Sequence, residues 1–363
     1  MNNAYGKYIA YIGTYTSGKG EGIYIFELDA ATGKLTQTGV SKLENPSYLT
    51  VDSRCRYLYA VVESDEFEGK NGGAVCAFSI NSKTGGLELL NCQPTKGVAP
   101  CHICTDSSGK YLFAANYGEG TITAFPIATD GSIEPHSSII QHQGSGPNPD
   151  RQEKPHAHYV TLTPDEKHLC AVDLGIDRIM VYGFDMQNGC LIPDESLYVT
   201  LKPGSGPRHM EFHPNGKFAY LINELDSEIV VLGYSPSDST FHKLQCISAL
   251  PEGYTGISYG AAVHISPDGN FLYVSNRGHD SIGVFRVEKA TGSLELVSHF
   301  PTHGKFPRDF ALDPTGKFLF VANQNSDTIV QFEINCETGE LERVGDIIEV
   351  PIPVCVKFVK IEA

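Results

Sequence analysis

Five side chains carry most of the chemistry this sequence can offer. They are His156 and His158 in a Pro-His-Ala-His run, Arg208, Glu224 and Arg277. Arginine presents a fixed fork of donors that suits phosphate or carboxylate. Arg208 and Arg277 would bind such a group or polarise a carbonyl oxygen, and Arg308 is a further candidate for anion binding. Glu224, in Leu-Ile-Asn-Glu-Leu-Asp, could activate water or take a proton from a substrate. It could equally be only a salt-bridge partner for the arginines. Burial would raise its pKa and the arginines would lower it. His156 and His158 are two apart, so a regular strand puts them on one face.

The elements that must position these groups form a repeat. A unit of roughly fifty residues recurs, a length that fits one propeller blade. The clearest copy runs PRDFALDPTGKFLFVANQNSDTIVQFEINCETGELERVGDI from Pro307. Anchors fall at Pro46, Pro100, Pro155, Pro207, Gly260, Pro307 and Pro353. First turns read DSSGK, HPNGK, SPDGN and DPTGK; second turns read ATGK, KTGG, ATGS and ETGE. Short runs rich in Val, Ile, Tyr and Phe, bounded by Gly, Pro, Asp and Asn, are strand-and-hairpin grammar. Four strands per unit without a helical period predict an all-β propeller of antiparallel blades. The N-terminal stretch begins at a second strand and the C-terminal PIPVCVKFVKI supplies only a first strand. Together they complete one blade, making seven in a single propeller domain over residues 1–363.

In such a unit the residue after the Pro anchor and the residues around the Asn that ends the second strand reach the same face, near the central channel. The first level holds Ser47, Cys101, His156, Arg208, Arg308 and Val354. The second holds Thr14, Glu63, Asn116, Asp173, Asn223, Asn276 and Asn323, followed by Tyr15, Ser64, Tyr117, Leu174, Glu224, Arg277 and Gln324. His156, Arg208, Arg308, Glu224 and Arg277 break the repeat in different blades yet map to one mouth. Arg308, Asn276, Asn323 and Tyr15 are the expected substrate-binding residues there. His158 is expected one layer down, level with Met210 and Phe310, with His102 and His209 out of phase and packing between blades. The recurring Asn residues read as strand-end caps, with a calcium-holding ring as the competitor. Residues 142–158, 251–260 and 63–73 are candidate pocket walls.

Composition narrows the partners. With 27 Lys and Arg against 43 Asp and Glu, the net charge is -16. That argues against general nucleic-acid binding and against attraction to membranes. An anionic substrate would need a local basic pocket. Ten cysteines show no disulfide spacing scheme, and most, including Cys55, Cys76, Cys104, Cys170, Cys246 and Cys355, read as reduced core residues. No charged leader with an apolar stretch opens the chain, so a cytoplasmic location is the expectation. No Gly-rich loop opens a helix and no zinc spacing occurs, so neither a cofactor nor a metal is expected. A monomer or weak homo-oligomer fits a closed propeller.

YIGTYTSG, KPHAH, GPRHMEFHPNGK, LINELDS, SPDGNFLYVSNRGHDSI and FPRDFALDPTGKFLFVANQ together resemble the seven-bladed lactonase family. That family includes bacterial 6-phosphogluconolactonase and fungal carboxy-cis,cis-muconate cyclase. The likeness runs from residue 11 to the final strand. It implies a His, Arg, Glu, Arg set on a histidine of Pro-His-Ala-His, Arg208, Glu224 and Arg277. It implies lactone chemistry without an organic cofactor. The bacterial members imply 6-phospho-D-glucono-1,5-lactone, of the oxidative pentose phosphate route, as substrate. On that reading Arg208 and Arg277 hold phosphate and oxyanion, and Glu224 or a histidine activates water. A cycloisomerase acting on a muconate, a calcium-dependent lactonase and a non-enzymatic binding scaffold are the alternatives.

Overall fold

The computed structural model describes residues 7–361. Seven four-stranded antiparallel blades surround a central channel. Blade 1 is built from both ends of the chain: Pro353–Ile361 is its inner strand, followed outwards by Lys7–Thr14, Gly22–Leu28 and Leu35–Lys42. The other inner strands, blades 2 to 7 in order, are Leu49–Val51, Pro100–Thr105, Ala157–Leu162, Pro207–Phe212, Tyr259–Ile265 and Pro307–Leu312. They touch one another in a closed ring. Lys7–Thr14 pairs with Pro353–Ile361 along its whole length, so ring closure is a sheet ladder between the two termini. No helix of the described residues is long and apolar enough to cross a membrane.

The turn residues do specific work. After several of the inner strands a side chain gathers the amides of the following turn. Asp106 Oδ1 accepts from the N–H groups of Lys110 and Tyr111 at 2.8 and 2.7 Å, and Asp313 Oδ1 from Lys317 and Phe318 at 2.9 and 2.8 Å. The fourth turn position is left-handed throughout: Gly109, Gly216, Gly269 and Gly316 have φ of 69, 68, 72 and 71°. Cys55 and Glu166 take that position in blades 2 and 4 at 53 and 54°, which is why those two copies read poorly as sequence. Second-strand tyrosines then tie neighbouring blades together. Tyr11, Tyr59, Tyr220 and Tyr273 each donate to the carbonyl of a second-turn glycine in the next blade, namely Gly85, Gly131, Gly292 and Gly339.

The second strands are buried on both faces and the outer strands are largely exposed. Apolar clusters fill the spaces between blades; Met210 and Phe310 belong to two of them and do not face the channel. Two cysteine expectations are corrected: Cys246, on an outer strand, is exposed and not a core residue, and Cys76 is not reduced. Cys76 and Cys92 stand opposite each other on the third and outer strands of blade 2 and form a disulfide. Cross-strand opposition is set by register and is invisible as sequence spacing.

Candidate active site

A bulge at the start of the inner strands builds the site. Pro207 pairs with Asn223, but the next partners are His209 and Ile222, so Arg208 is an extra residue with no opposite number. The same slip occurs at Cys101 in blade 3, His158 in blade 4 and Arg308 in blade 7. A bulge re-aims side chains and lets two consecutive residues serve one side of the strand. Arg208 therefore reaches the mouth while His209 turns inwards one layer below it, where it meets the rings of Tyr48, His102, His158 and Tyr159.

This register corrects three expectations. Ala157, not Pro155, stands opposite Asp173 as Pro207 stands opposite Asn223, so His158 is the counterpart of Arg208 and Arg308. His158 lies at the mouth, and strict alternation fails because of the bulge. His102 and His209 are channel residues directly beneath it, not residues packed between blades. Glu63 shifts as well. Its N–H donates to Asn45 O at 3.1 Å, the bond Tyr117 makes to Ala99 O and Glu224 makes to Gly206 O. It belongs with Tyr117 and Glu224, one step beyond the level at which the repeat alone puts it.

The resulting cavity of ≈ 350 Å³ is lined by Glu63, Cys101, Tyr117, Arg151, His158, Glu224, Tyr259, Arg277, Phe306 and Arg308. Glu224 is its hub. Oε2 accepts from Arg208 Nε at 3.1 Å and Arg277 Nη2 at 2.7 Å, and Oε1 accepts from Arg151 Nη2. Burial alone would raise the Glu224 pKa, but Arg277, Arg208, His158 and Arg151 hold it well below the usual carboxylate range. Arg208 is spent on structure: its Nη1 donates to Ala261 O at 2.7 Å and meets His209 Nε2 at 3.1 Å. Arg277 also donates to Gly260 O at 2.9 Å, yet its buried Nε–H has no acceptor among the described residues.

Arg308 stands over the Tyr15 ring at 5.4 Å. Burial opposes its charge, but Tyr15 and Glu63 outweigh that and keep its pKa above the ordinary value. Tyr15 itself does not line the cavity; its hydroxyl donates to both Glu63 oxygens at 3.0 Å. His158 is buried, its Nδ1 lacks a partner among the described residues, and burial, then Arg208, push its pKa well below 6.5. It is a neutral imidazole at neutral pH. His156 points elsewhere: Nδ1 meets Tyr117 O at 2.9 Å and Nε2 meets Glu153 at 3.2 Å, with the ring stacked on Tyr117.

Asn276 and Asn323 are fully buried and outside the cavity. Their Nδ2 groups donate to Ala249 O at 2.8 Å and Thr302 O at 3.2 Å, which fastens the chain just beyond the outer strand of the preceding blade in each case. That is strand-end work. Among the described residues, no group of three His, Cys, Asp or Glu is arranged to hold a metal ion. Arg151 is a lining residue that the repeat could not reveal. It comes from the 142–158 connection, and its position depends on how that loop folds back over the mouth.

Comparison with known proteins agrees with this architecture. The family described as "Lactonase, 7-bladed beta-propeller" matches residues 9–358. The 6-phosphogluconolactonase of Bacillus subtilis is 42% identical over 97% of this chain and 98% of its own. Among solved structures, the periplasmic gluconolactonase of Pseudomonas aeruginosa superposes with a TM-score of 0.93 at 34% identity, covering 98% of this chain and 99% of that one. A Lactobacillus plantarum protein superposes with a TM-score of 0.90 at 36% identity, covering 98% of this chain and 100% of that one.

Proposed function

The chain belongs to the seven-bladed β-propeller lactonase family, and from that premise we propose that it hydrolyses 6-phospho-D-glucono-1,5-lactone to 6-phosphogluconate without a metal. One observation carries the reading. Arg151, Arg277 and Arg308 line the mouth against two carboxylates, Glu63 and Glu224, with the buried Arg208 behind Glu224, so the mouth carries an excess of positive charge in a chain of net charge -16. A phosphate monoester carries about -1.5 to -2 at neutral pH. Relatives named for a phosphorylated and an unphosphorylated gluconolactone support the lactone class.

In this reading His158 is the base. It takes a proton from water as the oxygen attacks C1, and the carbonyl π electrons move onto the carbonyl oxygen. The guanidinium groups of Arg277 and Arg308, which line the cavity, stabilise that oxyanion. As the carbonyl reforms, the bond from C1 to the ring oxygen breaks and the imidazolium returns its proton to that oxygen. Glu224, ionised and shared by three guanidinium groups, holds them in place. Both of its oxygens are occupied by guanidinium groups, whereas His158 Nδ1 has no partner among the described residues, which favours His158 for proton transfer. Turnover of fresh 6-phosphogluconolactone, corrected for spontaneous opening, tests the reading. No turnover at high enzyme concentration would overturn it.

A further inference from the structure

Arg151 differs from the other guanidinium groups at the mouth in depth and in origin. The Arg208 and Arg277 side chains are 2% and 5% exposed and are fixed to main-chain carbonyls on the propeller itself. The Arg151 side chain is 34% exposed and comes from a connecting loop. Among the described residues its hydrogen bonds use Nη2 alone, to Glu224 and to Tyr117 Oη at 3.2 Å. Nε and Nη1 make no hydrogen bond among the described residues and remain for a ligand at the rim.

The loop that carries it is anchored. Gln152, next to Arg151, is fully buried although it is a long polar residue. Its Nε2 donates to Leu174 O and Asp177 Oδ1, both at 2.8 Å, and its Oε1 accepts from Asn148 N–H at 3.2 Å. Its main chain closes the turn in both directions, with Gly146 N–H on Gln152 O and Gln152 N–H on Asn148 O. Asp177 in turn accepts from the N–H groups of Gly204 and Gly206, tying the loop to the next blade connection. A surface loop that only links two blades has no need of a buried amide anchor with every polar group engaged.

We propose that Arg151 reads the phosphate monoester at the end of the substrate remote from the reacting carbonyl, and that Gln152 is the positioning residue that sets it. The inference rests on the lactonase reading for its substrate. The deep groups, His158, Arg277 and Arg308, surround the carbonyl, and a substituent on the far carbon of the sugar extends towards the rim, where Arg151 waits with free donors. Fixing the loop in advance removes the ordering cost that a flexible arginine would meet on binding.

The test compares kcat/KM for 6-phosphogluconolactone with that for unphosphorylated glucono-1,5-lactone in the wild type, Arg151→Met, Arg151→Lys and Gln152→Ala. The ratio between the two substrates cancels general damage to the site. Arg151→Met is expected to lower it about 10- to 100-fold through KM of the phosphorylated substrate. Arg151→Lys should restore part of it, and Gln152→Ala should shift it in the same direction by less. An unchanged ratio, or a change carried by kcat, overturns the proposal. If the wild type opens neither lactone, the lactonase reading fails by itself, and titration with 6-phosphogluconate and gluconate decides the role of Arg151. Selective weakening of 6-phosphogluconate in Arg151→Met sustains it; equal weakening of both, or no binding of either to the wild type, overturns it.

Discussion

Arg208 and Glu224 belong to one blade and meet through a 3.1 Å bond from Nε to Oε2, because a bulge in the inner strand turns Arg208 towards the end of the second strand. The pair is almost wholly buried, with side chains 2% and 4% exposed. Removing one partner of such a pair costs about 3 to 5 kcal/mol, because the other charge stays buried and unpaired. Glu224→Gln should therefore lower the melting temperature as well as abolish most turnover. Thermal unfolding beside a turnover assay checks this. A variant with wild-type stability would mean that the arginines do not depend on Glu224.

The two histidines of Pro-His-Ala-His should separate cleanly. His158→Ala removes the proposed base from a position where Nδ1 supports nothing else. Its kcat should fall about 100- to 10,000-fold with the fold intact. His156→Ala loses contacts to Tyr117 and Glu153 and should cost about 1 kcal/mol of stability, with turnover reduced less than about tenfold. Steady-state kinetics on both variants decides; the reverse order would move the base to His156.

The pH profile follows from the same residue. His158 must be neutral to accept a proton, and burial with Arg208 nearby keeps its pKa well below 6.5. As pH falls through 6.5 the base stays free, so kcat/KM should hold level there and decline only at lower pH. An acid limb centred at or above pH 6.5 would contradict a buried, arginine-flanked base.

Stability should carry a different pH signature. Lower in the channel His264 meets Glu211 at 2.8 Å and Asp309 at 3.5 Å. Burial opposes its charge, but the two carboxylates outweigh it and raise its pKa from 6.5 to about 9. A folded-state pKa above the unfolded one stabilises fully below pH 6.5, and the gain is lost as pH rises through about 9. The loss is about 3 kcal/mol at most. His264→Asn should flatten the stability profile across that window. An unchanged slope would assign it to other groups.

The architecture was legible because it is written in a period. Pro anchors, Asp-Gly turns and complementary termini predict seven blades, and Tyr8↔Lys360 and its neighbouring pairs are that closure. Arg208, Glu224 and Arg277 were legible because they break the repeat at positions the repeat itself levels. What was missed lies in register. One extra residue at each bulge moved His158 up to the mouth and turned His209 into the channel, and alternation alone has no means of showing this. Arg151 was missed because a loop has no period; Gln152, a buried amide amid polar loop residues, becomes a signal only once its partners are seen. Cys76 and Cys92 needed the pairing of two strands to be recognised as a disulfide.

The most direct test is hydrolysis of freshly made 6-phosphogluconolactone by the wild type and His158→Ala, each with and without a chelator, corrected for spontaneous opening. The account predicts wild-type turnover that the chelator leaves unchanged and that His158→Ala loses by about 100-fold or more. Turnover abolished by the chelator, or retained in His158→Ala, would contradict it.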